Sequence, residues 1–233
     1  MKIFAPLLLT LALGGSALAA PADPSAAGGN TVSRLRGAFG ANVRVLMDDV
    51  SGQPRSVRGL AIATHGLDSA DRASRFLAER KTVLGLEHAE LAVVRTEKLP
   101  VGEVVRFAQR VGDLEVEGRT LAVKLDAAGR VTGINSDLVP FDLQRPKALI
   151  DAAQAQAAVH ARFAVAATGT PRQVVLVPAP GLARIAWRVP TAVIPLAAHF
   201  DVWVDAETGD ILRSSASGKD QPMRTLPVKE TSR

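Results

Sequence analysis

The side chains able to do chemistry are few in this chain, and their spacing assembles no familiar site. Four histidines occur: His65, His88, His160 and His199. None is followed by Glu and no two lie four apart. The helical zinc motif H-E-x-x-H, which needs two imidazoles on one helix face, is therefore absent. With no cysteine and no tyrosine, nucleophiles are limited to Ser, Thr and Lys, and none sits beside an obvious base. Neither a P-loop nor a G-x-G-x-x-G occurs, and beyond the first twenty residues there is no G-x-S-x-G elbow. The run "DAETGD" from Asp205 to Asp210 gathers several oxygens but lacks the twelve-residue calcium spacing and its terminal bidentate Glu. It reads as a hairpin turn. These observations point to a non-catalytic protein with no metal and no cofactor.

One polar residue stands out. In "VRFAQRV", Val105, Phe107, Gln109 and Val111 point one way, while Val104, Arg106 and Arg110 point the other. Gln109 thus lies on the apolar side, where an unpaired amide is costly. A hydrogen bond to the backbone of a neighbouring strand is expected, and with it a structural role. Arg106 stands on the polar side, where its long side chain reaches outward to a partner's carboxylate. Trp187 and Trp203, on successive strands, read as core.

The elements that carry these residues follow from periodicity. Asn42 to Val50 and Pro54 to Ile62 read as strands around the turn "DDVSGQP". Asp68 or Ser69 caps a helix with Ala73, Phe76, Leu77 and Leu84 near a 3.6-residue period, and Gly85 sits where a helix stops. Four strands follow, over 91–99, 103–111, 114–126 and 130–138, with Leu121, Val123 and Leu125 completing the apolar face. A second helix from Ile150, with Asp151 as its cap, precedes strands over 173–178, 183–189 and 198–205 and a last one over 210–214. The plan repeats: "VKLDAAGRV" and "VWVDAETGDI" both run strand, Asp-Ala, Gly, strand, the second turning at Gly209, and "VLMDDVSGQP" is a looser third copy. The expected fold is α+β, two cystatin-like units, each a curved antiparallel sheet on a helix.

The ends and the charge set further bounds. Lys2, an apolar run to Leu13 and Ala17-Leu18-Ala19 make residues 1–19 a signal peptide by pattern, and the protein an exported one, periplasmic or extracellular. Residues 20–41 read as a disordered linker and 216–233 as a flexible tail. No later run approaches the roughly 18 to 20 apolar residues that span a bilayer. The chain carries 28 basic and 23 acidic residues, a formal net charge of +5. Along the sequence the excess is dispersed, without a Lys/Arg stripe or interleaved aromatics, so no nucleic-acid partner is expected.

At this point the chain resembles a known arrangement. "VRFAQRVGDLEVEGRTLAVKLDAAGRV" is similar to the fungalysin/thermolysin propeptide (FTP) domain, and Val105, Arg106, Gln109, Gly112, Val116, Gly118, Val123, Gly129 and Val131 carry the match. Downstream, "FDVWVDAETGDILRSS" resembles the PepSY domain that follows in such precursors. The resemblance implies an FTP-like domain over 42–145 and a PepSY-like domain over 146–215. It also implies that the chain is an inhibitor, a folding chaperone or both for a secreted zinc metalloprotease, whose catalytic domain would be a separate chain. An exported binding or structural module with no protease partner is the alternative.

Overall fold

Alternation along the strands between Glu90 and Ser136, interrupted by register shifts, produces the centre of a large sheet, and the helices lie where apolar stripes can cover it. The computed structural model describes residues 24–141, 148–179, 181–193 and 198–216. In chain order the elements are α1 (Pro24–Phe39), β1 (Arg44–Met47), β2 (Pro54–Ile62), α2 (Ser69–Glu79), α3 (Lys81–Leu84), β3 (Glu90–Leu99), β4 (Gly102–Val111), β5 (Leu114–Asp126) and β6 (Val131–Ser136). Then come α4 (Ala152–Phe163), β7 (Ala166–Ala167), β8 (Arg172–Ala179), β9 (Leu182–Val193), β10 (Ala198–Asp205) and β11 (Ile211–Ala216). The fold is α+β. No helix among the described residues is long and apolar enough to cross a membrane.

Six strands pair in the order β1-β2-β6-β5-β4-β3, all antiparallel. Their inner face carries Val57, Val105, Leu121, Val123 and Ile134, which bury against Leu35 of α1 and Phe76 and Leu77 of α2. Asp68 caps α2 by accepting from Asp71 N, and Gly85 ends α3 in the left-handed conformation at φ 72°. A second core forms where Ala155, Val159 and Phe163 of α4 meet Val189, Phe200, Val202 and Val204. Here Asp151 and Gln154 build a reciprocal capping box.

The two layers are one sheet. β5 pairs with β6 through its second half, while Val116 in its first half pairs in parallel with Val175 of β8. Gly118 lies between these halves at φ 69°, a conformation that glycine adopts at little cost, and the ladder with β4 shifts register nearby, between Ala108 and Arg110. Val116, Val139, Val175 and Val177 bury together at the junction.

Three expectations need correction. Residues 20–41 do not form a linker throughout, because Pro24–Phe39 is helical. Leu35 of that helix is fully buried and Phe39 packs on Phe76 at 6.3 Å between ring centroids, so tertiary burial outweighs the small-residue composition. Ala216, where the tail was expected to begin, instead pairs with Phe200 in β11. The outer face of the first six strands is not polar throughout either: Val104, Ala108 and Ala122 on it are buried. The leader expected over 1–19 and residues 217–233 lie outside the described residues.

Candidate functional site

The strands β3 to β6 bring the singled-out residues into one region but give them different tasks. Gln109 lies near the end of β4, opposite Leu91. Its Nε2 donates to Val139 O at 3.2 Å, in the segment after β6 rather than on the adjacent β3 or β5. Gln109 is 5 % exposed, and its Oε1 has no hydrogen-bond partner. An unpaired buried acceptor costs about 1 to 3 kcal/mol. The amide therefore latches the segment that supplies Val139 to the junction core, and it is incompletely satisfied in doing so.

Beside it lies a cavity of about 810 Å³ walled by Gln53, Leu86, His88, Gln109, Leu138 and Phe141, among others. That volume falls within the range of small-molecule pockets, and its wall mixes apolar with polar groups.

Arg106 lies on the outer face, 40 % exposed in its side chain. It is not a free cation. Its Nε and Nη2 donate to Glu97 Oε1 and Oε2 at 3.1 and 3.3 Å, and Arg95 Nη2 reaches Glu97 Oε1 at 2.6 Å. The strand register places Arg106 opposite Arg95 and Ala122, and Gln109 opposite Leu91, so the two residues stand on different faces.

The glycines of the motif are backbone devices. Gly112, at φ 56°, forms the β4–β5 turn and donates its N–H to Glu90 Oε2 at 2.9 Å. Gly129 and Gly209 close equivalent hairpins. In each the preceding Asp, Asp126 or Asp205, accepts turn N–H groups through Oδ1, and its carbonyl takes the glycine N–H at 2.9 Å. Asp48 and Gly52 repeat the pattern in the first hairpin, with 2.8 Å between Gly52 N and Asp48 O.

Electrostatics follow the same turns. Burial pushes the Asp205 carboxyl up, but the Arg184 guanidinium at 2.7 Å and the N–H groups of Glu207 and Thr208 outweigh it, and its pKa lies below the usual carboxylate value. The Arg130 N–H and guanidinium lower Asp126, and the Ser51 hydroxyl and Val50 N–H lower Asp48. Among the described residues no three His, Asp or Glu side chains gather where a metal ion could bind. Glu117, Arg172 and Arg188 escaped the sequence reading. Alternation places them on strands but is silent on which distant strand faces them.

A buried amide latch and Asp-Gly hairpins thus hold together an α+β scaffold. Within it, residues 89–138 match the Fungalysin/Thermolysin Propeptide Motif. Among solved structures the chain is similar to the C-terminal domain of Bacillus megaterium YpeB, with 14 % identity, 71 % of this chain and 73 % of that one covered, and a TM-score of 0.38. It is also similar to the YpmB protein from Bacillus subtilis (17 % identity, 62 % and 96 % covered, TM-score 0.26). A putative lipoprotein from Clostridium difficile 630 resembles it at 14 % identity, with 63 % and 91 % covered and a TM-score of 0.24. No curated protein matches.

Proposed function

We propose that this chain is an exported, non-catalytic, proregion-like protein that inhibits a zinc metalloprotease of the thermolysin or fungalysin type and assists its folding. The observation that carries the reading is the propeptide motif over 89–138, which coincides with strands β3 to β6. In this reading 42–145 act as the FTP-like part and 146–215 as the PepSY-like part. The sheet is a preorganised surface, so that holding a partner costs little ordering entropy. Arg106 contributes a contact, and Gln109 and the motif glycines hold the shape.

The test is a titration of the purified protein against a thermolysin-type protease from the same source organism, read by casein cleavage. Refolding of the urea-denatured protease is followed in parallel. Stoichiometric inhibition or a raised refolding yield is expected. Neither effect at micromolar protein would overturn the reading and leave a binding or structural module.

A further inference from the structure

The sheet's registers gather charge that the sequence disperses. Across the first six strands one row of mutually opposed residues is Val45, Val57, Ile134, Val123, Val105 and Thr96, the helix-covered side. One residue along each strand, on the outer face, the row reads Arg44, Arg58, Gly133, Lys124, Val104 and Glu97. Two residues further on, the same face carries Leu46, Ser56, Asn135, Ala122, Arg106 and Arg95. These two rows thus hold five cations and a single acid. Arg44, Arg58, Arg95 and Lys124 are exposed, and the small residues between them are not, as happens when long stems lie over short neighbours.

Glu97 already neutralises one end, where it holds both Arg95 and Arg106. At the other end Arg44, Arg58 and Lys124 enter no ion pair among the described residues. Arg44 and Arg58 are directly opposed, an arrangement that is destabilising for like charges unless an anion lies between them. Neighbouring strands lie about 4.8 Å apart, and Gly133 leaves the position between Arg58 and Lys124 without a side chain. Two cations thus flank a position that has no side chain of its own.

We infer that this outer face docks an acidic protein surface, whose carboxylates sit among Arg44, Arg58 and Lys124 as Glu97 sits between Arg95 and Arg106. The guanidinium fork suits carboxylate and phosphate alike. The two registered rows, however, hold no aromatic side chain on which a nucleic-acid base could stack, and Leu46 is their one exposed large apolar residue, too little to insert into a bilayer. The inference rests on the strand registers and does not require the partner to be a protease.

The experiment measures binding of the full chain to poly-L-glutamate, to a duplex DNA oligonucleotide and to phosphatidylglycerol vesicles. Three proteins are compared: wild type, Arg58→Glu with Lys124→Glu, and a charge-matched control, Arg36→Glu with Arg162→Glu. Melting temperatures establish that all three are folded. Poly-L-glutamate binding should weaken roughly tenfold or more in the outer-face variant, because like charges then oppose each other across the interface. The control should change it by no more than about twofold, since Arg36 and Arg162 lie on helices α1 and α4 and not in the two rows. Equal weakening in both variants would reduce the effect to net charge and overturn the inference. So would absence of binding by wild type, or tighter binding to DNA or vesicles that the outer-face variant abolishes. A protease titration of the same variants separates the two readings. If poly-L-glutamate binding depends on the face but inhibition is unchanged, the face serves another acidic partner; if wild type inhibits no protease, only the proposed function fails.

Discussion

Arg188 Nη1 lies 3.3 Å from Glu117 Oε1, an ion pair that ties β9 to the first half of β5. The same guanidinium donates to Asp201 Oδ2 at 2.7 Å, which, with Glu117 beside it, raises the Arg188 pKa although burial opposes this. Arg172 adds pairs to Glu115 at 3.3 Å and Glu117 at 3.7 Å. One backbone register, Val116 with Val175, joins the two halves in the ladder, and these side chains add to the coupling that the buried junction valines supply. Glu117→Gln should cost about 1 to 2 kcal/mol, between the values for exposed and buried pairs. Urea unfolding is the check. Tryptophan fluorescence, which reports only the second half, and far-ultraviolet circular dichroism should coincide in wild type and separate in the variant.

The Gln109 amide makes one bond and leaves its oxygen unpaired, so the effect of replacing it is asymmetric. Gln109→Leu removes the bond to Val139 O together with the unsatisfied acceptor, and a loss of about 1 kcal/mol is expected. Gln109→Ala also opens space beside the cavity and should cost about 2 kcal/mol or more. Thermal melting distinguishes them; a Leu variant less stable than the Ala variant would contradict the latch.

Arg106→Ala should leave the fold almost untouched. Its pair with Glu97 is partly exposed, and such pairs contribute at most about 1 kcal/mol. If the proposed function holds, protease inhibition should weaken in this variant while the melting temperature hardly moves. Unfolding by Arg106→Ala, with full loss of inhibition in a well-folded Gln109→Leu, would invert the roles assigned to the two faces.

Acid should loosen the hairpins. A carboxyl held below its unfolded pKa contributes stability that is fully present above the unfolded value, roughly 3.9, and that is lost as pH falls through the folded value. Asp205, Asp126 and Asp48 all shift in this direction. The urea midpoint should therefore decline as the pH is taken below about 4. Asp205→Asn should lower stability at neutral pH and flatten part of that decline. An unchanged slope in the variant would place the acid sensitivity elsewhere.

Local chemistry made a large part of this fold legible. The bounds of β2 and β5, the Asp68 and Asp151 caps and the Asp-Gly hairpins follow from interactions within a few residues, whose signals lie next to one another in the chain. The faces of β4 follow from the period-two pleat, and so does the placing of Gln109 with Phe107. What neighbours in sequence cannot specify is which distant strand lies alongside. Composition alone makes "PADPSAAGGNTVSRLRGAF" a linker, yet Leu35 finds a core that α2 and the sheet complete, and the segment becomes helical from Pro24. Gly118 falls within the strand expected over 114–126, and only the meeting of Val116 with Val175 makes it the bend that joins two layers. Arg44, Arg58, Lys124, Arg106 and Arg95 are scattered through five strands' worth of sequence, where they look like a dispersed excess of charge. Antiparallel register across β1, β2, β6, β5, β4 and β3 puts them on one face, because burying the valine row on the other side leaves their side chains no alternative direction.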